Sequence, residues 1–318
     1  MEAKRSSSTQ RLAARALAVV ALLLCPGQGA IAAAAEPATA TGAYAPMHET
    51  DPSLSDYVIF RPKDLRPFGP ANPLPVVGWV NGGCRREGSY VSFLEEVASH
   101  GYLVVAPGSA APPQLDGAAP PPAKRLTTSE RFKRIAPPQI SIRQLLDGVD
   151  WVLAEAARRA SIYTGKIDGD KLAVMGHSCG GMRALEASVD ARIKTTVVLA
   201  AGYWRLGGDL PGIGLTRETL QRLHAPVIYL FGGASDIVYV NAEADFVEIN
   251  QVPIFKAYQE VGHGLSLRQA NGGAYGKVVV DWLQWQLRRD PVAAQRFVGD
   301  ACALCTDPTW VVEKKMID

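Results

Sequence analysis

The sequence predicts an α/β fold, a mostly parallel sheet with helices on both faces. Short apolar runs recur along the chain, and between them lie segments with apolar residues at helical spacing. The runs are apolar throughout and do not alternate with polar residues, which marks strands buried on both faces. With 318 residues, 47% of them hydrophobic, the chain is long enough and apolar enough to bury one large core.

The elements follow in order. Tyr57 to Phe60 is a short strand, and Pro75 to Val80 a stronger one that ends in Asn81-Gly82-Gly83-Cys84. Tyr90, Phe93, Leu94 and Val97 recur at helical spacing, and His100-Gly101 closes that helix. Leu103 to Ala106 is the next strand. Residues 107–138 hold many prolines and a basic cluster, so an irregular excursion is expected there. A long helix over about 140–160 sets Ile142, Leu145, Leu146, Val149, Val152 and Leu153 on one face. Lys171 to Met175 is a strand, and Met182, Leu185 and Val189 lie on the helix after it. Thr195–Ala200, Pro226–Phe231 and Val252–Tyr258 are further strands. A terminal helix carries Val278, Trp282 and Trp285. No internal repeat and no second domain is evident, so residues 57–318 read as a single domain.

Residues 1–35 read differently. Lys4, Arg5, Arg11 and Arg15 precede the apolar stretch Ala16–Leu24, which Pro26-Gly27 breaks before the small residues Ala30–Ala35. That is the order of a secretory signal peptide, with cleavage expected near Ala35-Glu36. The apolar run is too short for a membrane anchor. A secreted or periplasmic protein is expected, with residues 36–56 as a flexible lead-in. Losing Lys4, Arg5, Arg11, Arg15 and Glu2 takes the net charge from +2 to −1. Neither that charge nor any basic block points to nucleic acid. A monomer is expected.

The densest chemical signal is Gly176-His177-Ser178-Cys179-Gly180, a G-x-S-x-G between a strand and a helix. In this arrangement a sharp turn holds the serine above the carboxyl ends of the strands, and the glycines on either side relieve backbone collisions. A serine hydroxyl needs a base within hydrogen-bond reach, itself oriented by a carboxylate. On this topology the chain order is serine, acid, histidine. Two histidines follow Ser178. His224 lies at the amino end of a strand, the wrong edge. His263 follows the strand 252–258 between two glycines and is the candidate base. Asp236 follows the strand 226–231 by a short turn and is the candidate acid. Asp245 and Glu248 are expected on a solvated helical face.

An oxyanion hole would take one backbone N–H from Cys179 and another from the Gly82-Gly83-Cys84 loop, with Gly83 and Cys84 as candidates. Both segments thus carry a cysteine. Without Cys25, four cysteines remain, and an even count in an exported protein points to disulfides. Of the three possible pairings, proximity at the oxyanion hole favours Cys84–Cys179, with Cys302–Cys305 as the second. A redox pair or half a zinc site is the alternative for Cys302 and Cys305. No metal and no cofactor is expected.

The order and spacing resemble the α/β-hydrolase superfamily, and within it the cutinase-like polyester hydrolases and the dienelactone-hydrolase-like esterases. The elbow Gly176-His177-Ser178-Cys179-Gly180-Gly181, the phrase Ser99-His100-Gly101-Tyr102-Leu103, and the turns Ser235-Asp236-Ile237 and Gly262-His263 carry the resemblance. It implies the α/β-hydrolase fold and a tryptophan near the substrate, at Trp204 in Gly202-Tyr203-Trp204. Departures are Gly83 opposite the usual aromatic oxyanion residue and Cys179 in place of methionine. The segments 107–138 and 291–318 have no counterpart. Asn-Gly-Gly-Cys, His-Ser-Cys-Gly-Gly and a late Cys-x-x-Cys together are similar to a group of secreted hydrolase-like proteins. The expected activity is cleavage of small-molecule or polymeric carboxylic esters through an acyl-enzyme. The alternatives are a peptidase or amidase on the same scaffold, and a non-catalytic binding protein of the same fold.

Overall fold

The computed structural model describes residues 40–318 apart from 87, 89, 111–137, 206–209 and 211. The expected signal segment 1–35, residues 36–39 of the lead-in, and most of the excursion 107–138 lie outside the described residues. The described ones belong to the unit Pro37–Asp318.

Nine strands among them form one sheet in the order β1-β2-β4-β3-β5-β6-β7-β8-β9. The strands are β1 Pro46–Asp51, β2 Leu54–Pro62, β3 Leu74–Val80, β4 Leu103–Pro107 and β5 Ile167–His177. They continue with β6 Ile193–Leu199, β7 Val227–Phe231, β8 Ile254–Tyr258 and β9 Val311–Lys315. From β4 to β8 every neighbouring pair is parallel. Antiparallel strands close both ends, β1 and β2 at one and β9 at the other. The helices are α1 Val91–Ser99, α2 Ile142–Ala157, α3 Cys179–Ala187, α4 Arg217–Gln221, α5 Tyr239–Glu248, α6 Gly273–Arg288 and α7 Pro291–Ala294.

Successive side chains of a strand point to opposite faces, so each central strand feeds two cores. Val77 and Trp79 of β3, Ala173 and Met175 of β5, and Val197 of β6 pack with Phe93 and Val97 of α1 and Trp282 of α6. Val76 of β3 and Leu172 and Val174 of β5 pack on the other face with Leu145, Val149 and Val152 of α2. Further along that face, Val198, Val227 and Tyr229 meet Met182 and Leu185 of α3 and Phe246 of α5. The buried Trp282 indole N–H donates to the Thr195 hydroxyl at 2.8 Å, so its polar atom is satisfied inside the core. α2 starts where a Ser-x-x-Gln capping box stands: Ser141 accepts from the Gln144 N–H, and the Gln144 side chain accepts in return.

Two elements depart from expectation. Residues 46–51 are strand β1, not flexible lead-in, because β2 offers them an antiparallel partner from Pro46↔Pro62 to Asp51↔Leu54. Upstream, the Thr41 N–H donates to Glu96 of α1 at 2.8 Å and ties this segment down further. At the opposite edge, β9 pairs with β8 from Tyr258↔Val311 to Ile254↔Lys315. Its sequence, Val311-Val312-Glu313-Lys314-Lys315, is half-exposed and charged, as edge strands commonly are.

The chain leaves β3 outward to β4 and returns on the other side of β3 as β5. Such a reversal, here at the carboxyl ends of β3 and β5, marks the place where open α/β sheets bind ligands. The two segments that leave those strands are Asn81–Cys84 and His177–Cys179.

Candidate active site

β5 is buried from Leu172 through His177 and then turns at Ser178, with φ 55° and ψ −122°, directly into α3. A residue with a side chain adopts positive φ only when its surroundings enforce it. Here a Cβ on Gly176 would lie 2.2 Å from the Gly180 carbonyl oxygen, and one on Gly180 2.0 Å from that of Val80. Only glycine fits at either place. The Ser178 N–H donates to the Leu199 carbonyl at 2.8 Å, which fixes the turn to the end of β6.

Three loops at the carboxyl ends of β5, β7 and β8 bring the serine, acid and histidine into one row. The Ser178 Oγ lies 2.9 Å from His263 Nε2, and His263 Nδ1 lies 2.7 Å from Asp236 Oδ1. Asp236 is buried. Its Oδ2 accepts from the Gly232 N–H at 2.9 Å, and its Oδ1 also accepts from the Val238 N–H at 3.1 Å. Burial pushes this carboxyl up, yet the hydrogen bond and charge of His263 and the two amides outweigh it and hold Asp236 below its ordinary value. An ionised Asp236 fixes the His263 proton on Nδ1 and leaves Nε2 free to accept from the serine.

The PET hydrolase-like family matches residues 126–298, more than half of the chain. The chain belongs to that family. No curated protein matches it. As a member of the PET hydrolase-like family it has the α/β-hydrolase fold and is a hydrolase acting on esters. The family match takes in Ser178, Trp204, Asp236 and His263. The Gly83-Cys84 loop and Cys302–Cys305 lie outside it.

Two disulfides are present among the described residues, Cys84–Cys179 with Cα atoms 5.3 Å apart and Cys302–Cys305 with 4.9 Å. The first joins the loop after β3 to the residue after the serine. The Cys84 amide, however, turns inward. Gly83, with φ 67° and ψ 5°, lets residues 81–84 close a tight non-helical turn, in which the Cys84 N–H donates to the Asn81 carbonyl at 3.1 Å. That commitment withdraws Cys84 from the expected oxyanion donors and leaves Gly83 from this loop. Cys179 supplies the first N–H of α3, one of those at a helix start without an intrahelical acceptor.

The row rests on a second layer that sequence reasoning did not single out. His177 is buried beside Ser178. Its Nδ1 lies 2.9 Å from the Tyr90 hydroxyl and its Nε2 2.8 Å from the carbonyl oxygen of His263. Burial, with the His263 charge second, pushes His177 down to about 4, so at neutral pH it is uncharged. Its single proton therefore sits on Nε2, donated to the His263 carbonyl, while Nδ1 accepts from Tyr90. The acid and histidine loops are also joined directly. The Val261 and Gly262 N–H groups donate to the Gly232 carbonyl at 3.1 and 2.8 Å. Glu260 accepts from the Ala234 N–H, and the Tyr275 hydroxyl on α6 donates to the Phe231 carbonyl at 2.8 Å. The position of His177 within the motif was a usable signal, since it shares the turn with the serine. Nothing local marks Glu260 or Tyr275.

Of the remaining sequence-derived positions, Trp204 is buried, five residues beyond the end of β6. His224 Nε2 lies 3.2 Å from the Ile193 carbonyl, at the start of β6 and away from the row. Asp245 corrects an expectation: it is fully buried on α5 instead of solvated, because Arg205 and Tyr229 meet it from other elements. No group of side chains that could hold a metal occurs among the described residues. Among them, too, no helix is long and apolar enough to cross a membrane.

Proposed function

We propose that the protein is a serine carboxylic ester hydrolase working through an acyl-enzyme, with Ser178 as nucleophile, His263 as general base and Asp236 as its orienting acid. The observation that carries the reading is the continuous row from Ser178 Oγ through His263 to Asp236, at 2.9 and 2.7 Å. As Oγ attacks the ester carbonyl carbon, its proton passes to His263 Nε2, and Asp236 stabilises the imidazolium that forms. The carbonyl oxygen becomes an oxyanion facing the N–H groups of Cys179 and Gly83. When the intermediate collapses, the alcohol leaves with the proton from His263. Water, deprotonated by the same imidazole, then attacks the acyl-serine and releases the acid.

The substrate is a small-molecule or polymeric ester, with Trp204 in the binding site, as membership of a PET hydrolase-like family suggests. Export through the segment 1–35 is the accompanying reading, and two disulfides support it, since such bonds persist in oxidising compartments. The expected test outcome is hydrolysis of short p-nitrophenyl esters by the purified protein, and labelling of Ser178 by a fluorophosphonate. Ser178→Ala should abolish the labelling and lower kcat by at least about a thousandfold. Failure of the probe to label Ser178 in the folded protein would overturn the reading.

A further inference from the structure

Tyr275, fully buried on α6, meets both turns that carry the acid and the histidine. Its hydroxyl donates to the Phe231 carbonyl at 2.8 Å and accepts from the Gln259 N–H, also at 2.8 Å. Phe231 is the last residue of β7, and Gln259 the first after β8. One oxygen atom therefore fixes the points at which two neighbouring strands release their turns. The Tyr275 backbone N–H donates to the Ser266 hydroxyl at 3.1 Å, three residues past His263. The histidine loop is thus held by this residue both before and after the imidazole.

What hangs from these points is the pair of acid and base. Gly232, next after Phe231, donates its N–H to Asp236 Oδ2 at 2.9 Å, and its carbonyl accepts from the Val261 and Gly262 N–H groups. A slip between the ends of β7 and β8 would pull Asp236 and His263 out of line, and a hydrogen bond weakens steeply with angle and distance. Burial pushes the Tyr275 phenol well above its ordinary value, so the hydroxyl keeps its proton and goes on donating at neutral pH.

The ring of Tyr275 is set in turn by the C-terminal tail. The Trp310 ring centre lies 4.8 Å from that of Tyr275, tilted by 55°. The Thr309 hydroxyl accepts from Gln259 Nε2 at 3.0 Å and donates to Asp307 at 2.7 Å. Both residues lie beyond 126–298, the stretch that the family matches. A helix that needed only to fill this part of the core would present phenylalanine, because a buried hydroxyl carries a desolvation cost. Here the hydroxyl's proton and a lone pair are both engaged, one by each turn.

We propose that Tyr275 is a positioning residue for the Asp236–His263 pair, and that Thr309 and Trp310 of the C-terminal tail hold it in place. The tail then acts on the rate of the reaction without touching substrate. The proposal rests on the ester-hydrolase reading. It concerns the alignment of the proton relay, so its effect falls on kcat and on the pH profile, and KM stays as it is.

The test compares Tyr275→Phe with the unaltered protein on p-nitrophenyl butyrate. This variant keeps the ring and its contact with Trp310 and loses only the hydroxyl. Its kcat should fall about three- to thirtyfold while KM stays within about twofold. The acid limb of kcat/KM should move to lower pH by about half a unit, because a loosened carboxylate stabilises the imidazolium less. Backbone hydrogen exchange should speed up at Gln259, which loses its acceptor, and at Gly232. Trp310→Leu should show the same kinetic changes in weaker form and serves if Tyr275→Phe fails to fold. A Tyr275→Phe kcat within about twofold of the unaltered value would overturn the proposal. So would a loss of kcat matched by a loss of fluorophosphonate-labelled enzyme with the acid limb unmoved, since Tyr275 would then be a stability residue. Unchanged kinetics in Trp310→Leu beside a slowed Tyr275→Phe would overturn the part given to the tail. Absence of any ester hydrolysis in the unaltered protein would instead fail the functional reading, and the exchange rates at 232 and 259 would still decide whether Tyr275 holds the two turns.

Discussion

His177 sits where three parts of the site meet: the loop after β3 through Tyr90, the serine turn through its own backbone, and the histidine loop through the His263 carbonyl. It must be neutral to make both contacts as drawn, with one nitrogen donating and the other accepting. Its folded value near 4 lies below the ordinary value of 6.5, so its stabilising contribution is complete above about pH 6.5 and is lost as pH falls toward 4. Asp245 acts in the opposite sense, because its value is raised from 3.8 to about 6 and the folded state gains stability as it takes up a proton over that range. The unaltered protein therefore shows only the difference. His177→Gln keeps an N–H donor for the His263 carbonyl and removes the titration. Its unfolding free energy, from urea titrations at pH 7 and pH 4.5, should fall less on acidification, by up to about 1.4 kcal/mol per pH unit. Equal acid sensitivity in both proteins would contradict this account.

At the scale of elements, the deciding contact is the bond between the β3 loop and the start of α3. Cys84 and Cys179 are 95 residues apart in sequence, so their link closes a long loop, worth about 4–5 kcal/mol in the chain-entropy description. Cys302 and Cys305 are separated by 3 residues and close a very small ring, so their link constrains the unfolded chain far less. The double variant Cys84→Ala/Cys179→Ala should lower the thermal midpoint much more than Cys302→Ala/Cys305→Ala. On the proposed mechanism it should also lower kcat by about ten- to a hundredfold with KM little changed, because the Gly83 and Cys179 amides proposed as oxyanion donors would no longer be held in one geometry. Steady-state kinetics of the two variants side by side would show whether the loss belongs to the first disulfide alone.

At the scale of the whole molecule, the sheet is closed at both edges by segments that meet it antiparallel. Lys256 of β8 is fully buried and pairs with Glu243 and with Glu313 of β9. Lys315 reaches past the edge to the Val247 and Ile249 carbonyls at 3.2 Å, at the end of α5 where unpaired carbonyls collect. β9 thus binds the last parallel strand to the helix that carries Asp245. Deleting residues 309–318 should expose the β8 edge and leave Lys256 with one of its two carboxylates. A lower Tm and concentration-dependent association, read by light scattering, are expected. A monodisperse variant with an unchanged Tm would show that the edge needs no cover.

The amino-acid sequence by itself determined the parallel sheet, the serine turn and the order of serine, acid and histidine. These depend on local properties: continuous apolar runs, glycine pairs where the backbone is crowded, and polar residues just past strand ends. Only the tertiary structure decided the edges, the burial of Asp245 and the direction of single amides. β1 and β9 are polar enough to read as loops and become strands through a neighbour's free hydrogen-bonding edge. Asp245 reads as solvated because its partners, Arg205 and Tyr229, lie on other elements. The Cys84 amide turns to Asn81 because Gly83 takes a positive φ, a choice of backbone conformation that residue type permits and does not dictate. Where a group's environment is made by residues distant in the chain, its role becomes readable only once the chain has folded.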